Sequence, residues 1–225
     1  SLGELAARTG LYKSTLLRSP RQALVSMEAS WSETTGPRFG HGLIGPLDND
    51  LILNWRQTGE PIGQRMVLHG RVLDENARPV PGALVELWQA NAGGRYRHDR
   101  ETYRAAIDPN FGGCGRTITD ADGQYWFRTI KPGAYPWPNG VNDWRPAHIH
   151  FSLFGRAFAT RLVTQMYFPG DPLLPLDPIF NSTADETSRD RLVSAFDLDT
   201  TVPEHALGFR FDIVLRGRDA TPLDP

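Results

Sequence analysis

The stretch Ala147-His148-Ile149-His150-Phe151-Ser152-Leu153 alternates apolar and polar side chains along its whole length. Such alternation predicts a β-strand, because successive side chains of a strand point to opposite faces of its sheet. The apolar residues then face a core, and His148 and His150 share the other face. This one segment therefore predicts a sheet with one buried face and a pair of imidazoles on the other.

The same period of two recurs elsewhere in the chain, in residues 66–73, 83–88, 124–128, 162–168 and 208–215. Turn-forming segments such as Pro79-Val80-Pro81-Gly82 and Asp120-Ala121-Asp122-Gly123 join these stretches. The 22 glycines and 18 prolines agree with many turns. We therefore predict an all-β fold, a two-sheet β-sandwich.

Helical periodicity is confined to residues 2–8 and 188–196, and in the second segment Leu192, Val193 and Phe196 would share one face. Residues 30–63 are rich in glycine, proline and polar side chains and show no clear period, so we expect them to wrap over another surface. The predicted organisation is an N-terminal extension, 1–63, that packs on the core or on a partner subunit. A catalytic β-sandwich domain with a few short helices follows over 64–225.

Composition excludes several classes of function. The 24 Lys and Arg against 26 Asp and Glu provide no basic excess for binding nucleic acid. No apolar run approaches the roughly 18 residues of a membrane-spanning helix. A single cysteine, Cys114, cannot form an internal disulfide, and the first ten residues lack the apolar stretch of a signal peptide. We expect a cytoplasmic protein.

The pair His148 and His150 is the strongest candidate for a metal site, since a strand holds two imidazoles rigidly at ligand spacing. The competing interpretation is two histidines on a solvated face. A cupin or a two-histidine-one-carboxylate iron site would add an acid nearby, yet residues 152–168 contain no carboxylate. A zinc site would add a third histidine or an acid. The remaining four histidines are scattered and are expected to be structural or exposed: His41, His69, His98 and His205.

Tyrosine offers the missing donor. Tyr135 lies in Lys131-Pro132-Gly133-Ala134-Tyr135-Pro136-Trp137, a loop stiffened by prolines just before the histidines. Its phenol, of ordinary pKa about 10, must lose a proton to act as a ligand, which a hard cation such as Fe(III) can drive. On general grounds Tyr103 and Tyr125 are as plausible a second donor as any other tyrosine.

Several segments together resemble the intradiol ring-cleaving dioxygenases, and most closely their iron-binding subunits. They are Arg18-Ser19-Pro20-Arg21-Gln22-Ala23, Trp88-Gln89-Ala90-Asn91-Ala92-Gly93-Gly94-Arg95-Tyr96, the Tyr135 loop and the strand from Arg145 to His150. The resemblance runs from about Tyr12 to Arg216. It implies a two-sheet sandwich with a non-haem Fe(III) held by Tyr96, Tyr135, His148 and His150.

The resemblance also implies a reaction: cleavage of protocatechuate (3,4-dihydroxybenzoate) by O2 to 3-carboxy-cis,cis-muconate, within the β-ketoadipate pathway of aromatic catabolism. Arg145 and Tyr135 would be catalytic, and the substrate would contact Tyr12, Trp137, Gln165 and Ile179. A homologous α subunit would complete a larger α–β oligomer. Alternatives are the same chemistry on 4-sulfocatechol or hydroxyquinol, or a colourless β-sandwich that binds a ligand without catalysis.

Overall fold

The computed structural model describes residues 44–155, 161–183 and 185–224. The predicted helix at 2–8 and Tyr12 lie outside these residues. The strands are β1 (Arg65–Leu73), β2 (Leu84–Gln89), β3 (Cys114–Ile118), β4 (Gln124–Ile130), β5 (Tyr135–Pro136), β6 (Trp144–Arg145), β7 (His148–Phe154), β8 (Leu162–Tyr167), β9 (Ala195–Phe196), β10 (Leu207–Arg210) and β11 (Ile213–Val214). Two short helices, α1 (Pro178–Ser182) and α2 (Glu186–Asp190), follow a 3-10 turn at Leu174–Leu176. The prediction of an all-β fold with a few short helices is confirmed.

The first sheet is built around β1. Strand β4 pairs antiparallel with one edge of β1, whereas β10 and β11 pair parallel with the other, and β9 adds to β10. Burial along β1 alternates between buried and partly exposed residues, as its period of two predicts. One face of this sheet therefore meets the core.

The second sheet has the order β3-β2-β7-β8, with every pair antiparallel. Ile149 and Phe151 of β7 are fully buried and face the first sheet, where the Phe151 ring lies 6.5 Å from that of Phe127. Aromatic and aliphatic side chains from both sheets form one continuous core. The predicted sandwich is confirmed, with the two histidines of β7 on its outer side.

Two strands of two residues each form a ribbon apart from both sheets. In it β5 pairs antiparallel with β6, which sets Tyr135 opposite Arg145. Because β6 leads through two residues into β7, this ribbon holds a tyrosine and an arginine beside the histidine strand.

Two of the sequence predictions were wrong in part. Residues 188–196 are helical only as far as Asp190, where α2 ends. Beyond it the amide of Ser194 donates to Tyr167 O at 2.9 Å, and β9 pairs with β10. Pairing with strands distant in sequence overrides the local apolar period here. Residues 208–215 do not form one continuous strand: β10 ends at Arg210 and β11 begins at Ile213, and between them the Asp212 carboxylate accepts the Arg71 amide.

The described part of the predicted N-terminal extension packs on the sandwich. Leu51 and Ile52 belong to the core, and Asp50 pairs with Arg128 of β4. The boundary at residue 63 stays a prediction. No helix in the described ranges is long and apolar enough to cross a membrane.

Candidate metal centre

Strand β7 places His148 and His150 on the outer face of the second sheet. The register sets His150 opposite Trp88 of β2 and Gln165 of β8, and His148 opposite Tyr167. The rings of Trp88 and His150 are stacked, with centroids 4.9 Å apart and planes within 1°. A row of ring side chains thus flanks the histidines and limits their movement.

Both imidazoles direct Nε2 towards the hydroxyl of Tyr96. The Tyr96 oxygen lies 3.1 Å from His148 Nε2 and 3.2 Å from His150 Nε2. His148 Nδ1 lies 2.8 Å from Pro146 O, so Nδ1 carries the proton and Nε2 keeps its lone pair. His150 Nδ1 has no hydrogen-bond partner among the described residues, and Asp224 Oδ2 lies 3.9 Å from it.

Tyr96 reaches this point because two loops cross with their backbones in close approach. Gly94 has φ +78°, and a Cβ there would lie 1.9 Å from the carbonyl oxygen of Ala134 in the loop that carries the second tyrosine. The amide of Gly133 donates to Asn91 O at 3.0 Å. Only glycine permits both the conformation and the approach. Gly94 and Gly133, one in each loop, are therefore the sequence signal that could have linked Tyr96 to the site.

Tyr135 enters the site from the ribbon, opposite Arg145. Its ring meets that of Tyr96 edge-on, with centroids 5.1 Å apart. Burial raises the pKa of Tyr135, and the nearby Glu101 carboxylate, which hydrogen-bonds to it, raises that pKa further. The structure thus brings together all four residues that the resemblance implied as ligands.

The electrostatics of the site favour neutral imidazoles and neutral phenols. Burial, followed by the Arg145 cation, holds the pKa of His148 well below its ordinary value and lowers that of His150 to about 3. Burial also raises the pKa of Tyr96. Neutral imidazoles are competent ligands, whereas the phenols would ionise only against a strong cation.

This donor set fits a hard, highly charged metal ion. Among the described residues no group of three His, Cys, Asp or Glu side chains could hold a metal, so a site here depends on tyrosine oxygen. Two phenol oxygens with two imidazole nitrogens suit ferric iron better than zinc, whose oxygen ligands are usually carboxylates, or magnesium, which takes oxygen ligands.

Arg145 is nearly fully buried and touches the ligand cluster. Its Nη1 lies 3.3 Å from His148 Nε2, and its Nη2 donates to Gln165 Oε1 at 2.7 Å and to Tyr167 Oη at 2.9 Å. Burial alone would lower the pKa of Arg145, but Tyr167 and Asp177 outweigh burial and raise it. The guanidinium is a permanent cation beside the site.

The other residues expected to line a pocket lie around this arginine. The Trp137 ring faces the Arg145 guanidinium, 5.8 Å from centroid to Cζ, and Gln165 accepts from it directly. Ile179 is buried in α1. Tyr12 and His41 lie outside the described residues. His69 is on β1, where it pairs with Asp197, and so does not join the cluster.

Three contributors were not singled out from the sequence. Tyr167 follows from register, since it lies opposite His148 once β7 and β8 are paired. Asp177 carries the signal of an N-cap, an aspartate immediately before Pro178 at a helix start. Glu101 lies outside the strands and has no sequence signal that would place it beside Tyr135.

Similarity to known proteins shows the family of the chain. The profile of the dioxygenase family matches residues 34–217, and that of the protocatechuate 3,4-dioxygenase beta subunit N terminus matches residues 6–30. The chain belongs to the intradiol ring-cleaving dioxygenase family, which is known for non-haem iron. The family assignment made from sequence is confirmed.

The chain is more similar to a protocatechuate 3,4-dioxygenase beta chain than to an alpha chain. The sequence is 57% identical to the protocatechuate 3,4-dioxygenase beta chain of Burkholderia cepacia, over 95% of this chain and 90% of that one. It is 29% identical to the alpha chain of the Pseudomonas putida enzyme, over 84% and 92% of the two chains. The solved 3-chlorocatechol 1,2-dioxygenase of Rhodococcus opacus 1CP shares the fold, with TM-score 0.60 at 21% identity over 95% of this chain and 83% of that one.

Proposed function

We propose that this chain opens protocatechuate between its two hydroxylated carbons, consuming O2 and releasing 3-carboxy-cis,cis-muconate. The observation that carries the proposal is the convergence of two imidazole nitrogens on the Tyr96 hydroxyl, at 3.1 and 3.2 Å, with Tyr135 at its edge. The 57% identity to a protocatechuate 3,4-dioxygenase beta chain supports the choice of substrate.

We assign the metal as Fe(III), held by Tyr96, Tyr135, His148 and His150. The bound ion would supply Lewis acidity and a template for the catechol oxygens. Neutral His148 and His150 provide nitrogen lone pairs without a competing proton. Once ionised by the bound ion, the two phenolate oxygens would balance part of its charge, which favours the ferric over the ferrous state.

The chain's own groups manage protons and charge. Tyr135 is the better placed of the two tyrosines to exchange a proton with a substrate hydroxyl at its Oη, because it is more accessible than Tyr96 and lies in the short ribbon. Arg145 faces the site with a permanent positive charge and stabilises electron density that develops on the ring. We place Trp137, Gln165 and Ile179 at the pocket wall.

The remaining assignments concern the surroundings of the site. We assign Tyr12 to the ring substituent of the substrate. A homologous alpha chain as partner is supported by the likeness of this chain to both the beta and the alpha chains of protocatechuate 3,4-dioxygenase. A cytoplasmic location is supported by the single cysteine.

The test is the visible spectrum and oxygen uptake of purified protein, produced alone and with its alpha chain. We expect a broad phenolate-to-iron absorption that shifts on adding protocatechuate, one O2 consumed per ring, and 3-carboxy-cis,cis-muconate by mass spectrometry. A colourless protein that contains iron would contradict the ligand assignment. Faster turnover of 4-sulfocatechol or hydroxyquinol would keep the reaction class and replace the substrate.

A further inference from the structure

The Arg145 side chain has a partner that the proposed mechanism does not use. Asp177 is fully buried, and its carboxylate meets the arginine side-on: Oδ1 accepts from Nε at 3.2 Å and Oδ2 from Nη2 at 3.0 Å. Paired contacts along one edge of a guanidinium fix its plane as well as its position.

The pairing decides which nitrogen faces the ligand cluster. Because Nε and Nη2 are bound to the carboxylate, Nη1 is left to point towards His148 Nε2, 3.3 Å away. Gln165 and Tyr167 bind Nη2 as well, so they restrain the same edge. Without the carboxylate, the guanidinium could rotate and withdraw Nη1 from the site.

Asp177 also ties the arginine to the pocket wall. It is the N-cap of α1, where Oδ1 accepts the Ile179 amide at 3.3 Å. One buried carboxylate thus holds both the guanidinium and the first turn of the helix that carries Ile179. A carboxylate this deeply buried would be costly without a partner, so Asp177 and Arg145 should stay paired.

We propose that Asp177 is a positioning residue for catalysis: it holds the Arg145 guanidinium so that Nη1 faces the reacting ring. The inference rests on the proposed function through the role of Arg145. Asp177 would act through orientation alone, because its carboxylate bonds to Arg145 and Ile179 and, within the part of the chain that the structure describes, to none of the four proposed ligand side chains.

The test is a double-mutant cycle between Asp177→Asn and Arg145→Ser, with Asp50→Asn as matched control. Asp50 is also buried and paired with an arginine, but that arginine is Arg128 of β4 in the other sheet. We expect Asp177→Asn to lower kcat by about 10- to 100-fold, the usual effect of removing an outer partner of a site. KM, iron content and visible colour should stay near those of the wild type, and Asp50→Asn should leave kcat unchanged.

The cycle separates orientation from general support of the fold. If Asp177 acts through Arg145, Asp177→Asn adds no further loss of kcat in the Arg145→Ser background. An equal loss in both backgrounds would overturn the proposal, as would a wild-type kcat in the single variant. Should Asp177→Asn alone fail to fold, the double variant, which removes both charges, is compared with Arg145→Ser: the same kcat supports the proposal and a lower kcat overturns it.

A readout independent of turnover distinguishes this proposal from the proposed function. The Arg145 Nε–H resonance, assigned by its loss in Arg145→Ser, should exchange slowly in wild-type protein and rapidly in Asp177→Asn. If the wild type opens no catechol, the proposed function fails, while the resonance still reports whether Asp177 holds Arg145. Slow exchange retained in Asp177→Asn would show that other groups fix the guanidinium, and the proposal would fall.

Discussion

Replacing Phe151 with alanine should remove the support behind the proposed metal site. Phe151 lies between His150 and Ser152 on β7, is fully buried, and points into the core while the histidines point outwards. Its ring lies 5.3 Å from that of Phe211 and 5.9 Å from that of Tyr125, so the truncation opens a cavity between the two sheets.

The expected cost follows from this burial. A fully buried Phe→Ala substitution lowers the free energy of unfolding by about 3 to 5 kcal/mol. At about 2 to 4 °C per kcal/mol for a chain of this size, Tm should fall by about 6 to 20 °C. Phe196→Ala is the matched control, since Phe196 is 49% exposed and packs on Phe209 from the edge of the sheet. Its cost should be below about 1.5 kcal/mol.

The assay combines stability with retention of the metal. Urea unfolding followed by tryptophan fluorescence gives the free energy of unfolding of each variant, and dialysis against a graded chelator series gives its iron content. We expect Phe151→Ala to have a lower free energy of unfolding than Phe196→Ala and to release its iron at lower chelator concentrations. Equal stabilities of the two variants would refute the assignment of Phe151 to the interface between the sheets, and unchanged iron retention would show that the core does not support the ligand strand.

Three further outcomes test the site and the pH dependence. Tyr135→Phe leaves one of two phenol donors, so the visible band should weaken and turnover slow; an unaltered spectrum would remove this tyrosine from the ligand set. Arg145→Lys keeps the charge without the planar fork, so kcat, measured by oxygen uptake, should fall by about 10- to 100-fold; a wild-type kcat would mean that charge alone suffices. The hydrogen bond from His69 holds the pKa of Asp197 below its ordinary value, so this pair contributes stability above about pH 4 that is lost as pH falls through the lowered pKa. The Asp197→Asn variant should therefore have a lower free energy of unfolding than the wild type at about pH 6, and the two should become equal towards about pH 2, as measured by urea unfolding. A difference that stays constant across this pH range, or the same change for the exposed Glu204→Gln, would contradict this.

Much of the fold could be predicted because strand periodicity is a local property. Burial along β1 follows the alternation of the sequence. On β7 the alternation sets the outward direction of His148 and His150, although packing of other segments buries most of that face as well. The helix predicted at 188–196 is wrong after Asp190 for the opposite reason. Beyond Arg191 the backbone bonds to β8 through Leu192 and Ser194, and to β10 through β9, which no local pattern reveals.

The sequence by itself determined a sandwich with two imidazoles on one outer face, and it indicated tyrosine as a candidate donor because no carboxylate was near. Only the tertiary structure brought Tyr96, 52 residues before His148, to within hydrogen-bond distance of both histidines. It alone paired Arg145 with Asp177, 32 residues later in the chain. The physical reason is that side-chain direction along a strand depends on neighbouring residues, whereas a convergent site depends on which distant segments the packed sheets and crossing loops bring into contact.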